Sequence, residues 1–257
     1  MKGLHIIKVG GSVLSDKKSI ATLLDDFVAL KGAKILVHGG GNVVTETALK
    51  LGYTTEMIEG RRITSDAMME VVSMVCGGLL NKNVVGCLQA RSCNAIGLCG
   101  ADGKSILSKK RLSAPIDYGR VGDVIAINED FIVNLLGKGC VPVFSPITMD
   151  GAGKLLNTNA DTIAAQLAIA LTPYFRVHLT FCIDKPGVLS DPLDNMSVVP
   201  FLNRDTYQKM LAQKIISQGM LPKLEQSFKA LERYVHQVCI GGCNGLKSTQ
   251  KNTKIIL

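Results

Sequence analysis

Residues 4–12 read Leu-His-Ile-Ile-Lys-Val-Gly-Gly-Ser, and residues 34–42 read Lys-Ile-Leu-Val-His-Gly-Gly-Gly-Asn. Each is a short apolar run that ends in glycines, the pattern of a buried strand. The second leads at once into a helix-length amphipathic segment, Val43–Leu51. A strand that gives way to glycines and then a helix outlines a phosphate cradle. Glycine lets backbone N–H groups approach oxyanions closely, and the helix N-terminus adds partial positive charge. Neither loop is G-x-x-x-x-G-K-[ST] or G-x-G-x-x-G, so the P-loop and dinucleotide fingerprints are not matched. Two such loops at the carboxyl ends of early parallel strands would lie side by side. Gly10, Gly11, Gly40 and Gly41 are therefore candidate oxyanion donors.

The alternation continues outward from this pair. Strand-like runs occupy Leu4–Val9, Lys34–Val37, Asn94–Cys99, Cys140–Phe144, Arg176–Phe181 and Gln237–Ile240. Helix-like segments occupy Ile20–Leu30, Val43–Leu51, Asp66–Ala90, Asp130–Lys138, Ala160–Leu171, Arg204–Lys214 and Lys223–Arg233. Strands alternating with helices imply crossovers and a mainly parallel sheet covered on both faces. Two regions break the pattern, Tyr53–Thr64 and Gly103–Ile127, and read as hairpins or excursions suited to a substrate lid. Thr64 or Ser65 is placed to cap the long third helix. Ser190–Val198 is polar and reads as a surface loop.

Several charged residues stand where charge is unexpected. Lys8 is embedded in an apolar strand, where an unpaired ammonium is costly, so it reads as a phosphate ligand. Lys223 follows Gly219-Met220-Leu221-Pro222 in a first helical turn, where cations are disfavoured; an anion at that helix start would explain it. Asn157-Thr158-Asn159-Ala160-Asp161 runs into a helix and, taken alone, is ordinary capping chemistry. Arg62 precedes the long helix, and an arginine there can clamp a carboxylate in two-pronged fashion.

Composition narrows the function. The 257 residues are 47% hydrophobic and 19% charged, which excludes intrinsic disorder. No segment reaches the ~20 continuous apolar residues of a membrane helix, and Lys8 and the glycine pair interrupt any signal-peptide core. The net charge is +8 with no Trp and 5% aromatic residues. A basic chain poor in stacking aromatics favours an anionic metabolite over nucleic acid. The eight cysteines form no C-x-x-C pair, and the four His show no zinc spacing. Reduced thiols, no bound structural metal and a cytoplasmic location are the expectation.

Taken together, the chain resembles the amino acid kinase family over essentially its whole length. The resemblance rests on Lys8-Val9-Gly10-Gly11-Ser12, His38-Gly39-Gly40-Gly41, Gly60-Arg61-Arg62-Ile63-Thr64, Val121-Gly122-Asp123-Val124, Asn157-Thr158-Asn159-Ala160-Asp161, Asp184-Lys185-Pro186-Gly187-Val188-Leu189 and Gly219-Met220-Leu221-Pro222-Lys223. It implies an open three-layer α/β/α sandwich with a mainly parallel central sheet. Residues 1–172 would form an N-terminal lobe for the acylated amino acid and for dimerisation, and residues 173–257 a C-terminal lobe for ATP.

The resemblance further implies ATP-dependent phosphorylation of the side-chain carboxylate of N-acetyl-L-glutamate, a step of arginine biosynthesis. By the same carry-over Lys8, Asp161 and Lys223 are catalytic. Lys8 neutralises the transferring phosphoryl group, Lys223 the leaving β-phosphate, and Asp161 orients both. Gly10, Gly11, Gly40 and Gly41 donate to phosphoryl oxygens, and Arg62 and Asn157 hold the substrate. Asp184, Gly187 and Gly219 line the nucleotide site, and Mg²⁺ arrives on the nucleotide. Relatives of similar appearance act on other acceptors, including aminoadipate on a carrier protein, and a non-catalytic amino acid or nucleotide sensor would keep the fold. Ile183 precedes Asp184 where the family commonly has Thr. Arg61 stands where many members carry an apolar residue, which suits a charged acyl group such as succinyl. Arginine-inhibited members carry an extra N-terminal helix; this chain starts at strand one, implying a homodimer without arginine feedback.

Overall fold

The computed structural model describes residues 1–257 except 59, 217–218, 243–245 and 247–251, so Cys243 lies outside the described residues. In chain order the strands are β1 (Gly3–Val9), β2 (Ala33–His38), β3 (Met57–Ile58), β4 (Arg61–Arg62), β5 (Ala95–Leu98), β6 (Ile106–Lys110), β7 (Gly122–Ile127), β8 (Val141–Phe144), β9 (Ile147–Met149), β10 (Leu155–Asn157), β11 (Arg176–Ile183), β12 (Phe201–Leu202), β13 (Gln237–Gly242) and β14 (Thr253–Ile255). The α-helices are α1 (Gly11–Ser15), α2 (Lys17–Ala29), α3 (Gly41–Lys50), α4 (Asp66–Val72), α5 (Asn81–Gln89), α6 (Glu129–Gly137), α7 (Ala160–Ala170), α8 (Arg204–Ala212) and α9 (Leu221–Glu232). A π-helical turn, Ser73–Leu80, joins α4 to α5.

Successive side chains of a strand point to opposite faces, and β1 shows both faces buried. Leu4 and Ile6 join one apolar cluster with Ile163, Ala164 and Leu167 of α7 and Leu224 and Phe228 of α9. Ile7 and Val9 join another with Leu23, Leu24 and Phe27 of α2 and Val84 and Leu88 of α5. Helices on both faces of one sheet make the three layers read from the sequence. The eight strands run in the order β12-β14-β13-β11-β1-β2-β8-β5. All neighbouring pairs are parallel except β13 with β14. Strand β1 therefore sits in the middle, hydrogen-bonded to β2 on one side and β11 on the other.

The two excursions are hairpins. Met57–Ile58 pairs antiparallel with Arg61–Arg62, and β6 pairs antiparallel with β7 in a second sheet ordered β10-β9-β6-β7. The continuous helical stretch Asp66–Gln89 is long and apolar enough, by length and average composition, to cross a membrane. It is not an unbroken apolar run, and it is packed into the protein: Met68, Met69, Val71, Val72, Val75 and Cys76 join Val44 and Ala48 of α3 in a third cluster. Ser65 caps its start by accepting from the Met68 N–H at 3.2 Å.

Candidate active site

Lys8 is the next-to-last residue of β1, and it is buried. Asp161 is buried in the first turn of α7, where Asn159 caps the helix by accepting from the Asp161 and Thr162 N–H groups at 2.8 and 3.2 Å. Lys8 Nζ lies 2.8 Å from Asp161 Oδ1, and Lys223 Nζ donates to Oδ2 at 3.2 Å. Lys223 reaches in from the first turn of α9 and also donates to the Gly219 carbonyl at 3.1 Å. Burial alone would raise the Asp161 carboxyl; Lys8 and then Lys223 outweigh it and hold the group below its ordinary range. Burial pushes the Lys223 ammonium down, against the pull of Asp161. Two ammonium groups share this one carboxylate in a largely dehydrated place, with Asp184 acting on Lys223 only through space. A cation held that way is costly to bury until an anion joins it.

The two glycine loops face each other beside this centre. A Cβ on Gly11 would lie 3.5 Å from the Gly41 nitrogen and 3.7 Å from the Gly40 nitrogen. A Cβ on Gly40 would come within 2.5 Å of Leu80 Cδ1 and 3.1 Å of Cys76 Sγ, so glycine lets the loop lie on the π-helical turn without moving those side chains. Gly10 sits at the start of α1, where its carbonyl accepts from the Leu14 N–H at 3.2 Å. Arg62 is buried, and its Nη2 donates to the Gly41 carbonyl at 2.9 Å and to Thr45 Oγ1 at 2.7 Å. Its Nη1 is buried with no hydrogen-bond partner among the described residues. A buried guanidinium with a spare donor face suits a carboxylate. Asn157 Nδ2 donates to Thr64 Oγ1 at 3.1 Å.

One cavity gathers Lys8, Gly11, Gly40, Gly41, Arg62, Asn157 and Asp161. Gly10, Lys223, Asp184, Gly187 and Gly219 lie outside its lining. Lys223 nevertheless meets the cavity's Asp161, and Asp184 follows β11 and acts on Lys223 through space. Gly187 is packed close: a Cβ there would lie 2.7 Å from Val198 Cγ1 and 2.8 Å from Thr253 Oγ1. The sequence reading missed Arg111 and Asp123, which pair with each other on the cavity wall. Val121-Gly122-Asp123 had been singled out as a motif without a role, and the β6–β7 hairpin carries it to the site. His38 and Asn81, buried behind the second glycine loop, were also missed.

The model of the amino acid kinase family matches residues 3–242. An acetylglutamate kinase of Cytophaga hutchinsonii is 48% identical over 241 residues, covering 93% of this chain and 91% of that protein. An acetylglutamate kinase of Bacteroides thetaiotaomicron is 46% identical over 247 residues, 96% of each. Among solved structures, smu.665 from Streptococcus mutans UA159 superposes with a TM-score of 0.80 at 26% identity, covering 93% of this chain and 94% of that one.

Proposed function

Since the chain belongs to the amino acid kinase family, we propose that it transfers the γ-phosphoryl group of ATP to the side-chain carboxylate of N-acetyl-L-glutamate. The products are N-acetyl-L-glutamyl 5-phosphate and ADP, in the arginine branch of amino-acid biosynthesis. The observation that carries this reading is the convergence of Lys8 and Lys223 on Asp161 beside facing glycine loops.

The nucleophile is a carboxylate, ionised at neutral pH, so no general base is needed. What must be overcome is repulsion between an anionic acceptor and a triphosphate, and the dispersal of charge as the phosphoryl group moves in line. Lys8 neutralises the moving group, and the Gly11, Gly40 and Gly41 N–H groups, with Gly10 at the loop's start, donate to its equatorial oxygens. Lys223 takes up charge on the departing β-phosphate. Asp161 keeps the two ammonium groups apart and aimed. Arg62 Nη1 receives the α-carboxylate, with Asn157 beside it. Asp161 is committed to two lysines, which leaves the nucleotide's own oxygens as ligands for Mg²⁺; when bound, that ion screens the triphosphate charge.

Residues 1–172 form the acylglutamate lobe, consistent with a cavity lined wholly by residues 8–162. Residues 173–257 supply the ATP lobe with Lys223, Asp184, Gly187 and Gly219. The enzyme is cytoplasmic, where ATP and reduced thiols are maintained, and works without nucleic acid or membrane. It is a homodimer, supported by exposed Met74 and Leu79 on the apolar helical stretch and Ile96 on the edge strand β5. One observation favours a second acyl group: Arg61 lines the cavity with no ion-pair partner among the described residues. A cation there suits a succinyl carboxylate.

A hydroxamate trap for acyl phosphate, run with MgATP and a panel of free and acylated amino acids, tests the assignment. N-acetyl-L-glutamate should give the trapped product; a panel without any acylglutamate product would sink the proposal. A large preference for N-succinyl-L-glutamate would select the second reading.

A further inference from the structure

His38 and Asn81 have no part in the scheme above, yet both are almost fully buried beside the second glycine loop. His38 Nδ1 lies 2.8 Å from the Gly39 carbonyl oxygen. A carbonyl oxygen only accepts, so Nδ1 carries the proton. Asn81 Nδ2 donates to the Val143 carbonyl at 2.9 Å and lies 3.1 Å from His38 Nε2. The Val143 carbonyl settles which end of the amide is the donor, so Nε2 accepts from it. The imidazole is thereby held neutral in one tautomer. Its surroundings agree: burial pushes the ring's pKa down to about 4, with the Gly39 carbonyl opposing and the nearby Lys8 charge adding to the fall.

The Gly39 residue is pinned on both sides. Its N–H donates to the Val9 carbonyl at 2.9 Å, and its C=O accepts from His38. In a trans peptide the C=O and the following N–H point in opposite directions. Fixing the Gly39 oxygen on the histidine therefore fixes the direction of the Gly40 N–H, which points away from that oxygen, and the Gly40 nitrogen lies close to Gly11, 3.7 Å from where a Cβ there would stand. A separate feature shows that the fold makes room for this arrangement. Gly97, in the middle of β5, would bring a Cβ within 2.0 Å of Asn81 Oδ1. The strand forgoes a side chain where the amide sits.

We infer that His38 and Asn81 are positioning residues for phosphoryl transfer: through the Gly39 peptide they set the aim of the Gly40 N–H at the transferring group. The inference rests on the kinase reading and deepens it. Neither residue lines the cavity, so the effect should fall on turnover rather than on acylglutamate binding.

Two histidine replacements separate positioning from mere filling of space. In His38→Asn the side-chain amide stands where Nδ1 stood and still donates to the Gly39 oxygen. In His38→Gln the amide extends to the Nε2 position and leaves that oxygen without its donor. Turnover of His38→Gln should fall about 10–100-fold below that of His38→Asn, with KM for N-acetylglutamate changed less than about two-fold. Equal turnover in the two variants, or a loss confined to KM, would overturn the inference. Nitrogen NMR of the wild-type imidazole is a second measurement that needs no variant to fold. It should show an Nδ1–H tautomer that stays neutral down to about pH 5; an Nε2–H tautomer would equally overturn it. Failure of the wild type to form any acyl phosphate is a different result. It would fail the kinase reading, while the tautomer would still decide whether the histidine pins the peptide.

Discussion

Asp161 carries one negative charge between two ammonium groups, and both its oxygens are used. Asp161→Asn removes the charge while keeping the shape, so Lys8 and Lys223 face each other with only a neutral amide between them. Breaking a buried ion pair from one side costs about 3–5 kcal/mol; a loss of that size should appear in denaturant unfolding, together with loss of nearly all turnover. The same buried groups set the acid limit of stability. His38 is held neutral with a pKa of about 4 against an ordinary 6.5. The unfolded chain therefore takes up a proton that the folded one refuses as the pH falls from 6.5 towards 4. Stability should decline by about 3 kcal/mol across that window from His38, and His178, lowered to about 4 by burial, adds to the fall in the same window. Asp161, whose pKa is lowered, adds a further loss only once the pH drops below its ordinary 3.8. Unfolding curves between pH 7 and pH 4 check the first part; a flat profile would refute it. Lys8 and Lys223 were legible in the sequence because a charge out of place in a strand or a helix start advertises a partner. His38 and Asn81 were not, because 43 positions separate them and neither polar residue is odd where it stands.

At the scale of elements, the π-helical turn Ser73–Leu80 brings Cys76 and Leu80 against Gly40. Gly40→Ala would place a methyl group 2.5 Å from Leu80 Cδ1 and 3.1 Å from the buried Cys76 Sγ, so the Leu80 side chain must turn aside or the loop must shift. Turnover should drop, by up to about 10²-fold if the shift costs one oxyanion donor, and Leu80→Ala in the same chain should restore part of it. The main strands and helices were readable because their apolar runs and periodicities are undisturbed by neighbours. Observed bounds such as Lys17–Ala29 and Gly41–Lys50 differ from Ile20–Leu30 and Val43–Leu51 by one to three residues at each end, as caps and first turns carry no apolar signal. Helix α1, five residues long, strands β12 and β14, and the wider turn at Ser73–Leu80 escaped the reading. Each is too short to show a period and is held by tertiary contact.

At the scale of the whole molecule, Met74 and Leu79 are more than half exposed on the apolar helical stretch, and β5 ends the sheet. The Ala95 and Gly97 carbonyls of that edge accept from the Gln89 and Lys82 side chains at 2.8 and 3.4 Å, so contact with a second copy would rest on the exposed apolar side chains rather than on strand pairing. If the chain is the homodimer proposed above, light scattering of the wild type should give twice the 27.5 kDa of one chain, and Met74→Lys with Leu79→Lys should bring it down to one; a wild type of one chain mass would refute the dimer, and an unchanged mass in the variant would place the interface elsewhere.

The central position of β1 has a consequence for how the chain comes into being. One neighbour, β2, follows within 30 residues, while the other, β11, begins only at Arg176. A ribosome-bound chain shorter than that presents β1 with one bare rim, apolar above and below. Chains stalled or clipped in this interval should stick to one another or engage chaperones, and Lys8 and Lys223 cannot share Asp161 until α9 has left the ribosome.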